Sequence, residues 1–190
     1  VAPSLPAACD NVSPGQVVTG LKMLGFSKVC EVAYGADIVG EEYKSLIQSD
    51  VMPLMISSPC PSITSFIVKH YPELALCLAP IVSPMIAMGR VVREIYGPDI
   101  NVIFIGPCIS KKKEMDEEPV VGIIDEVLTF DELKSIFKQK NISPPKLEET
   151  DMDEPAADLG RIFSVSGGLL KVADVERDVL NNDIVNSLKV

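Results

Sequence analysis

Val102-Ile103-Phe104-Ile105-Gly106-Pro107-Cys108 is an apolar, β-branched run that stops at a Gly-Pro turn and delivers a cysteine. Such a run between turn residues reads as a strand buried on both faces. The same grammar occurs upstream in Met55-Ile56-Ser57-Ser58-Pro59-Cys60-Pro61. Both stretches run strand, proline, cysteine, helix. A cysteine so placed lies at the carboxyl end of a strand and at the start of a helix, the edge where open α/β sheets bind ligands. A helix amino end carries a partial charge of about +0.5 and free N–H groups. Both favour a thiolate, whose free pKa of about 8.5 falls in such places. Thiolates suit soft metals and iron–sulfur clusters. A third junction, Phe163-Ser164-Val165-Ser166-Gly167-Gly168, offers backbone N–H groups to the same anionic ligand, and its glycines permit close approach. Spacing alone leaves open whether Cys60 and Cys108 are ligands or small core hydrophobes.

Outward from these runs, strands alternate with helices. Further strands are expected over Val29–Tyr34, Leu54–Ser57, Ile123–Leu128 and Ile162–Val165. Ser13-Pro14-Gly15-Gln16 and Thr129-Phe130-Asp131-Glu132 are capping boxes that open helices, the first running towards Gly25 and the second to about Gln139. Ser83-Pro84 opens a helix that Gly97-Pro98 closes, and two more are expected from Glu41 to Gln48 and from Pro61 until Pro72 forbids continuation. Alternating strands and helices predict an α/β fold: two lobes with parallel sheets flanked by helices, meeting at a cleft. Asn141 to Asp158, rich in Pro, Asp and Glu, reads as an acidic surface loop.

The chain has 190 residues, 47% of them hydrophobic, enough for a packed core. A net charge of −10 argues against nucleic acid and anionic membrane, because phosphate binding needs clustered Lys and Arg. No apolar run reaches the roughly 18–20 residues that span a bilayer, and no signal peptide is visible. Five cysteines, odd in number and widely spaced, read as reduced thiols or metal ligands in a cytoplasm. Cys30 and Cys77 sit in apolar surroundings and read as core; Cys9 is undecided. His70, the single histidine, leaves no His-based metal site and reads as a helix-terminal cation. Ser83 reads first as an N-cap and second as a pocket group.

At these same residues the sequence resembles the iron-only hydrogenase family. Ser57-Ser58-Pro59-Cys60-Pro61-Ser62-Ile63 stands where the family has Thr-Ser-Cys-Cys-Pro-Gly-Trp, and Gly106-Pro107-Cys108-Ile109-Ser110-Lys111-Lys112-Lys113-Glu114 where it has Met-Pro-Cys-x-x-Lys-Lys-x-Glu. Tyr71-Pro72-Glu73-Leu74, Ser83-Pro84-Met85, Gly89, Leu24-Gly25-Phe26, Gly35-Ala36-Asp37 and Ser166-Gly167-Gly168 match in order. The resemblance implies a 4Fe–4S cubane and a two-iron centre carrying CO and cyanide, together the H-cluster. Cys60 and Cys108 match the first two metal ligands. Lys111 matches a lysine that contacts a cyanide, Ala2-Pro3-Ser4 a loop beside the two-iron centre, Met85 a pocket position and Phe163 a pocket aromatic. It implies lobes over residues 1–78 plus 160–190 and 79–159.

The departures are as informative. The family's Cys-x-x-x-Cys segment, with the last two ligands, has no counterpart before Val190, so the chain reads as part of a longer polypeptide that binds no cluster by itself. Where the family has a proton-carrying cysteine, this chain has Pro59. Glu42 is expected to keep the first relay carboxylate, Ser45 replaces the second, and Ala79 replaces a relay serine; Gly106 replaces a pocket methionine. No catalytic residue is assigned. The implied function is hydrogen or electron transfer, or hydrogen and redox sensing, with slow turnover, in an anaerobic cytoplasm. An electron-transfer protein or attached ferredoxin-like or signalling modules would be partners. An ordinary hydrogenase using another proton route and a non-enzymatic iron–sulfur carrier or assembly protein are the alternatives.

Overall fold

The computed structural model describes residues 1–8, 11–49, 51–52 and 54–175. Cys9 and the end of the first expected lobe lie outside the described residues. In chain order the helices are α1 (Leu5–Ala8), α2 (Pro14–Met23), α3 (Ala33–Gln48), α4 (Pro61–His70), α5 (Pro84–Tyr96), α6 (Lys111–Glu114), α7 (Phe130–Gln139) and α8 (Gly168–Val172), with strands β1 (Ile103–Gly106) and β2 (Glu126–Thr129). The fold mixes helices with a parallel sheet. β1 and β2 pair in parallel, from Ile103 opposite Glu126 to Gly106 opposite Thr129. The free edge of β1 receives the first residues of the chain: the Ala2 amide donates to the Ile105 carbonyl at 2.8 Å, and the Val32 amide to the Val1 carbonyl at 2.9 Å.

Both capping boxes form, Ser13 with Gln16 and Thr129 with Glu132, and the helices they open are α2 and α7. The strands are fewer than expected. Leu54–Ser57 reduces to one bridge between Ile56 and Leu78, and Val29–Tyr34 to one between Cys30 and Asp153. Ile162–Val165 is a turn after a 3-10 segment, Leu159–Ile162. Helix α3 starts at Ala33, well before Glu41, because Gly35 and Gly40 are contact points and not breakers. A Cβ at position 35 would overlap the Pro84 carbonyl oxygen and lie 2.8 Å from the Met88 nitrogen, so the glycine lets α3 cross α5 at backbone distance.

Two apolar clusters form the core. The larger gathers Leu5, Val17, Val18 and Leu21 with Ile86, Met88, Phe104, Ile105, Val127, Leu133 and Phe137. The smaller holds Val39, Tyr43, Ala79, Ala87 and Ala173. Helix α5 feeds both, Ile86 to one side and Ala87 to the other. A division into lobes at residues 79 and 159 remains a proposal; the larger cluster draws on both sides of the first boundary. The acidic stretch after Asn141 is stitched to the body. The Asp153 amide donates to the Val29 carbonyl at 2.8 Å, its carboxylate takes the Val29 amide at 3.0 Å and the Lys28 ammonium at 2.9 Å, and the Thr150 amide reaches the Gly15 carbonyl at 3.2 Å.

Candidate metal centre

Cys60 is the N-cap residue of α4, in extended conformation, with Pro61 in the first turn fixing the helical start. Its carbonyl accepts the Thr64 amide at 3.1 Å, while its thiol makes no cap bond and is exposed. Cys108 follows the end of β1 and is half-buried; its carbonyl accepts the Lys111 amide at 3.2 Å. The helix after it, α6, is one turn long, so Cys108 is held by a strand end and a tight turn and not by a full helix dipole.

The two cysteine loops touch. Ser62 and Ser110, each two residues past a cysteine, share a hydrogen bond between their hydroxyls at 2.5 Å. Lys111 is buried at 9% exposure, and its ammonium donates to the Pro59 carbonyl at 3.1 Å and to the Glu114 carboxylate at 2.6 Å. An ammonium has three donors, so one N–H remains for a third acceptor. Lysine and carboxylate together thus clamp the loop of Cys108 to the loop of Cys60.

Behind Cys60 lies a second anchor. Tyr43, 2% exposed on α3, accepts the Ser58 amide at 2.8 Å and lies 3.1 Å from the Ser58 hydroxyl, which reaches the Ile81 carbonyl at 2.9 Å. Burial pushes the Tyr43 phenol above its ordinary pKa, against the opposing effect of the Ser58 bonds. Tyr43 shares the smaller core with Ala79, and Phe163 packs against it. Two positions beyond Ile81, Ser83 holds the N-cap position of α5, yet its hydroxyl caps nothing. It is 2% exposed and, among the described residues, the one buried side-chain polar atom without a hydrogen-bond partner. Ser83 thus holds the N-cap position by its backbone alone, its hydroxyl being buried without a cap bond.

The remaining expected residues divide. Ala2 lies against the carboxyl end of β1: a Cβ at Gly106 would sit 3.1 Å from the Ala2 Cβ and 2.6 Å from the Phe104 ring, so a methionine there would need the Phe104 ring to shift. Met85 is buried at 2% in the larger core, packed with its Ile105 side. Gly167 and Gly168 open α8, five residues long, with Ser164, Val165 and Ser166 exposed before it. Glu42 and Ser45 are both exposed on α3, while Tyr43 between them is buried. The missed signal was the 3.6-residue period of Ala36, Val39 and Tyr43, which marks Tyr43 as inward. Cys30 and Cys77 are half-buried and not full core members. His70 ends α4 with its ring 5.0 Å from that of Phe66. No group of three or more His, Cys, Asp or Glu that could hold a metal occurs among the described residues.

Comparison with known proteins gives a consistent answer. The family model described as "Iron only hydrogenase large subunit, C-terminal domain" matches residues 1–189. Iron hydrogenase 1 of Clostridium pasteurianum is 32% identical over 178 residues, covering 84% of this chain and 31% of that protein. A cytosolic Fe-S cluster assembly factor NAR1 homolog of Schizosaccharomyces japonicus is 27% identical over 105 residues, 50% of this chain and 20% of its own length. Among solved structures, a variant of [FeFe]-hydrogenase HydA1 from Chlamydomonas reinhardtii superposes with a TM-score of 0.76 at 27% identity, over 90% of this chain and 50% of that one. The chain thus spans about a third of the Clostridium relative and half of the algal chain.

Proposed function

The chain belongs to the family of the iron-only hydrogenase large subunit, C-terminal domain, and from this we propose that Cys60 and Cys108 are two thiolate ligands of an iron–sulfur cluster in a hydrogenase-like domain that turns hydrogen over slowly or senses it. When bound, a cubane with its two-iron partner supplies electron transfer and hydrogen chemistry. The donor set fits one side of such a group. A cubane takes four thiolates, and this pair is half of that number. Lys111 has one free N–H to offer an anionic ligand, and the orphan Ser83 hydroxyl has both a donor and acceptor capacity unused. Ala2-Pro3-Ser4, Met85 and Phe163 are the further residues assigned to the surroundings of the centre in this reading.

The observation that carries this reading is the double clamp, Ser62 to Ser110 and Lys111 to Pro59, which joins two loops 48 residues apart at their cysteines. Slow turnover follows from the proton side. Pro59 has no exchangeable proton, Ser45 stands where a second carboxylate is expected and Ala79 is apolar, so three positions of the expected relay carry no strong acid or base, whereas proton transfer needs such a group within roughly 2.6–3.2 Å. Attached signalling or ferredoxin-like modules, or a separate electron-transfer protein, would then read or supply the electron. A reducing, anaerobic cytoplasm suits five cysteines; no helix of the described residues is long and apolar enough to cross a membrane.

The likeness to an assembly factor over half of the chain supports a second reading, a cluster carrier without the two-iron centre. The test is anaerobic loading of the gene product with iron and sulfide, then with the two-iron centre. Cys60→Ser and Cys108→Ser should each abolish iron binding; binding equal to wild type in either variant overturns the proposal. Infrared bands of CO and cyanide in the loaded protein support the hydrogenase-like reading, and their absence with the cubane intact supports the carrier.

A further inference from the structure

We infer that Tyr43 is the positioning residue of the Cys60 ligand loop, acting through Ser58, an inference that rests on the paired-thiolate reading above. The hydrogen count fixes the direction of each bond. The Ser58 amide donates to the Tyr43 oxygen at 2.8 Å. The Ser58 hydroxyl spends its one hydrogen on the Ile81 carbonyl at 2.9 Å. The 3.1 Å contact between the two hydroxyls is therefore Tyr43 donating to Ser58. Tyr43 and Ser58 close a two-way exchange, and the circuit ends on an amide carbonyl that has no proton to hand on. Every hydrogen is committed, so the arrangement holds a backbone and relays nothing.

What it holds is the run into Cys60. Upstream, Ile56 is pinned by its amide to the Cys77 carbonyl at 2.7 Å and by its carbonyl to the Ala79 amide at 2.8 Å. Downstream, Pro61 fixes the start of α4. Between these points, Ser57 to Pro59 have the Ser58 bonds to Tyr43 and Ile81, the longer Thr64 hydroxyl contact to the Ser58 carbonyl at 3.4 Å, and the Lys111 tie at Pro59. Tyr43 lies on α3, whose axis is set against α5 by Gly35, so the phenol references the Cys60 loop to the body of the fold.

A soft metal ion reads the loop geometry directly. In the 190-residue chain, Cd2+ titrated anaerobically should give a thiolate-to-metal ultraviolet band that Cys60→Ser and Cys108→Ser both remove. Tyr43→Phe keeps the ring and deletes the hydroxyl, and with it the bonds to the Ser58 amide and the Ser58 hydroxyl; it should weaken Cd2+ binding by at least roughly tenfold. Val39→Ala, in the same small core, should lower the melting temperature and leave Cd2+ affinity within about twofold, because it cuts no bond to the loop. Should Tyr43→Phe fail to fold, Ser58→Ala removes the Ser58 hydroxyl with its bonds to Ile81 and Tyr43, leaves the Ser58 amide on the Tyr43 oxygen, and should weaken binding by roughly threefold. A cysteine-dependent band whose affinity ignores Tyr43→Phe and Ser58→Ala, or follows Val39→Ala equally, overturns the positioning role only. A wild-type chain with no band dependent on both cysteines overturns the paired-thiolate reading and the positioning role with it.

Discussion

Lys111 shows how one side chain can serve two purposes. Its ammonium is nearly out of solvent, and so is the carboxylate of Glu114 that it meets at 2.6 Å. Such a pair is weak evidence for stability as a whole, but removing one partner leaves the other charge buried and alone. Lys111→Met is therefore expected to cost about 3 kcal/mol in denaturant unfolding, and Lys111→Met combined with Glu114→Leu to recover most of that loss. Recovery by the double variant together with lost iron binding would separate the lysine's structural part from its part at the centre. Cys60, Cys108 and Lys111 were legible in the sequence because proline, cysteine and lysine sit within a few positions of one another and of a strand end. Tyr43 was not: its importance comes from Ser58, fifteen residues away, and the neighbouring Glu42 offered a more obvious chemistry.

At the scale of elements, local grammar was read correctly and long-range pairing was not. The capping boxes opening α2 and α7 depend on four consecutive residues, and both form. Apolar runs do not reveal whether a partner strand lies beside them, so Ile56 and Cys30 make single bridges where whole strands were expected. The box at α7 yields a pH test. Its Glu132 is held down to a pKa of about 2, first by the Lys112 ammonium at 2.8 Å and then by the Thr129 amide. The folded value lies below the ordinary 4.5, so this carboxylate stabilises the fold above 4.5, and its contribution is lost as pH falls towards 2. The melting temperature of Glu132→Gln should lie below wild type by a constant gap above about pH 5, and the gap should close on acidification. Because Glu132 is exposed, concentrated salt should narrow it too. Gly35→Ala sets two effects against each other. Alanine favours a helix interior by about 1 kcal/mol, but a Cβ here overlaps a backbone carbonyl that cannot rotate away. Overpacking of that kind costs about 1–3 kcal/mol, so net destabilisation is expected in thermal melts, with α3 and α5 pushed apart.

For the whole molecule, what matters is that the two cores meet at α5 and the two cysteine loops meet each other, while Pro59 and Ala79 bring no proton to that place. The meeting of the loops was legible from the repeated strand-proline-cysteine pattern, and on the proton side Pro59 and Ala79 declare themselves by type. This makes Pro59→Cys a decisive substitution. The carbonyl at 59 that takes the Lys111 ammonium belongs to the backbone and survives the change. A thiol at that position would supply a first proton carrier, yet the nearest hydroxyl circuit, Tyr43 with Ser58, ends on the Ile81 carbonyl and passes nothing on. A single carrier without a successor should leave hydrogen turnover by the loaded gene product within about tenfold of wild type, well short of the 10²–10⁴ that a connected acid–base group contributes. A rise of a hundredfold in hydrogen evolution, measured by gas chromatography with iron content held equal, would mean that a route from position 59 to solvent exists which bypasses Tyr43.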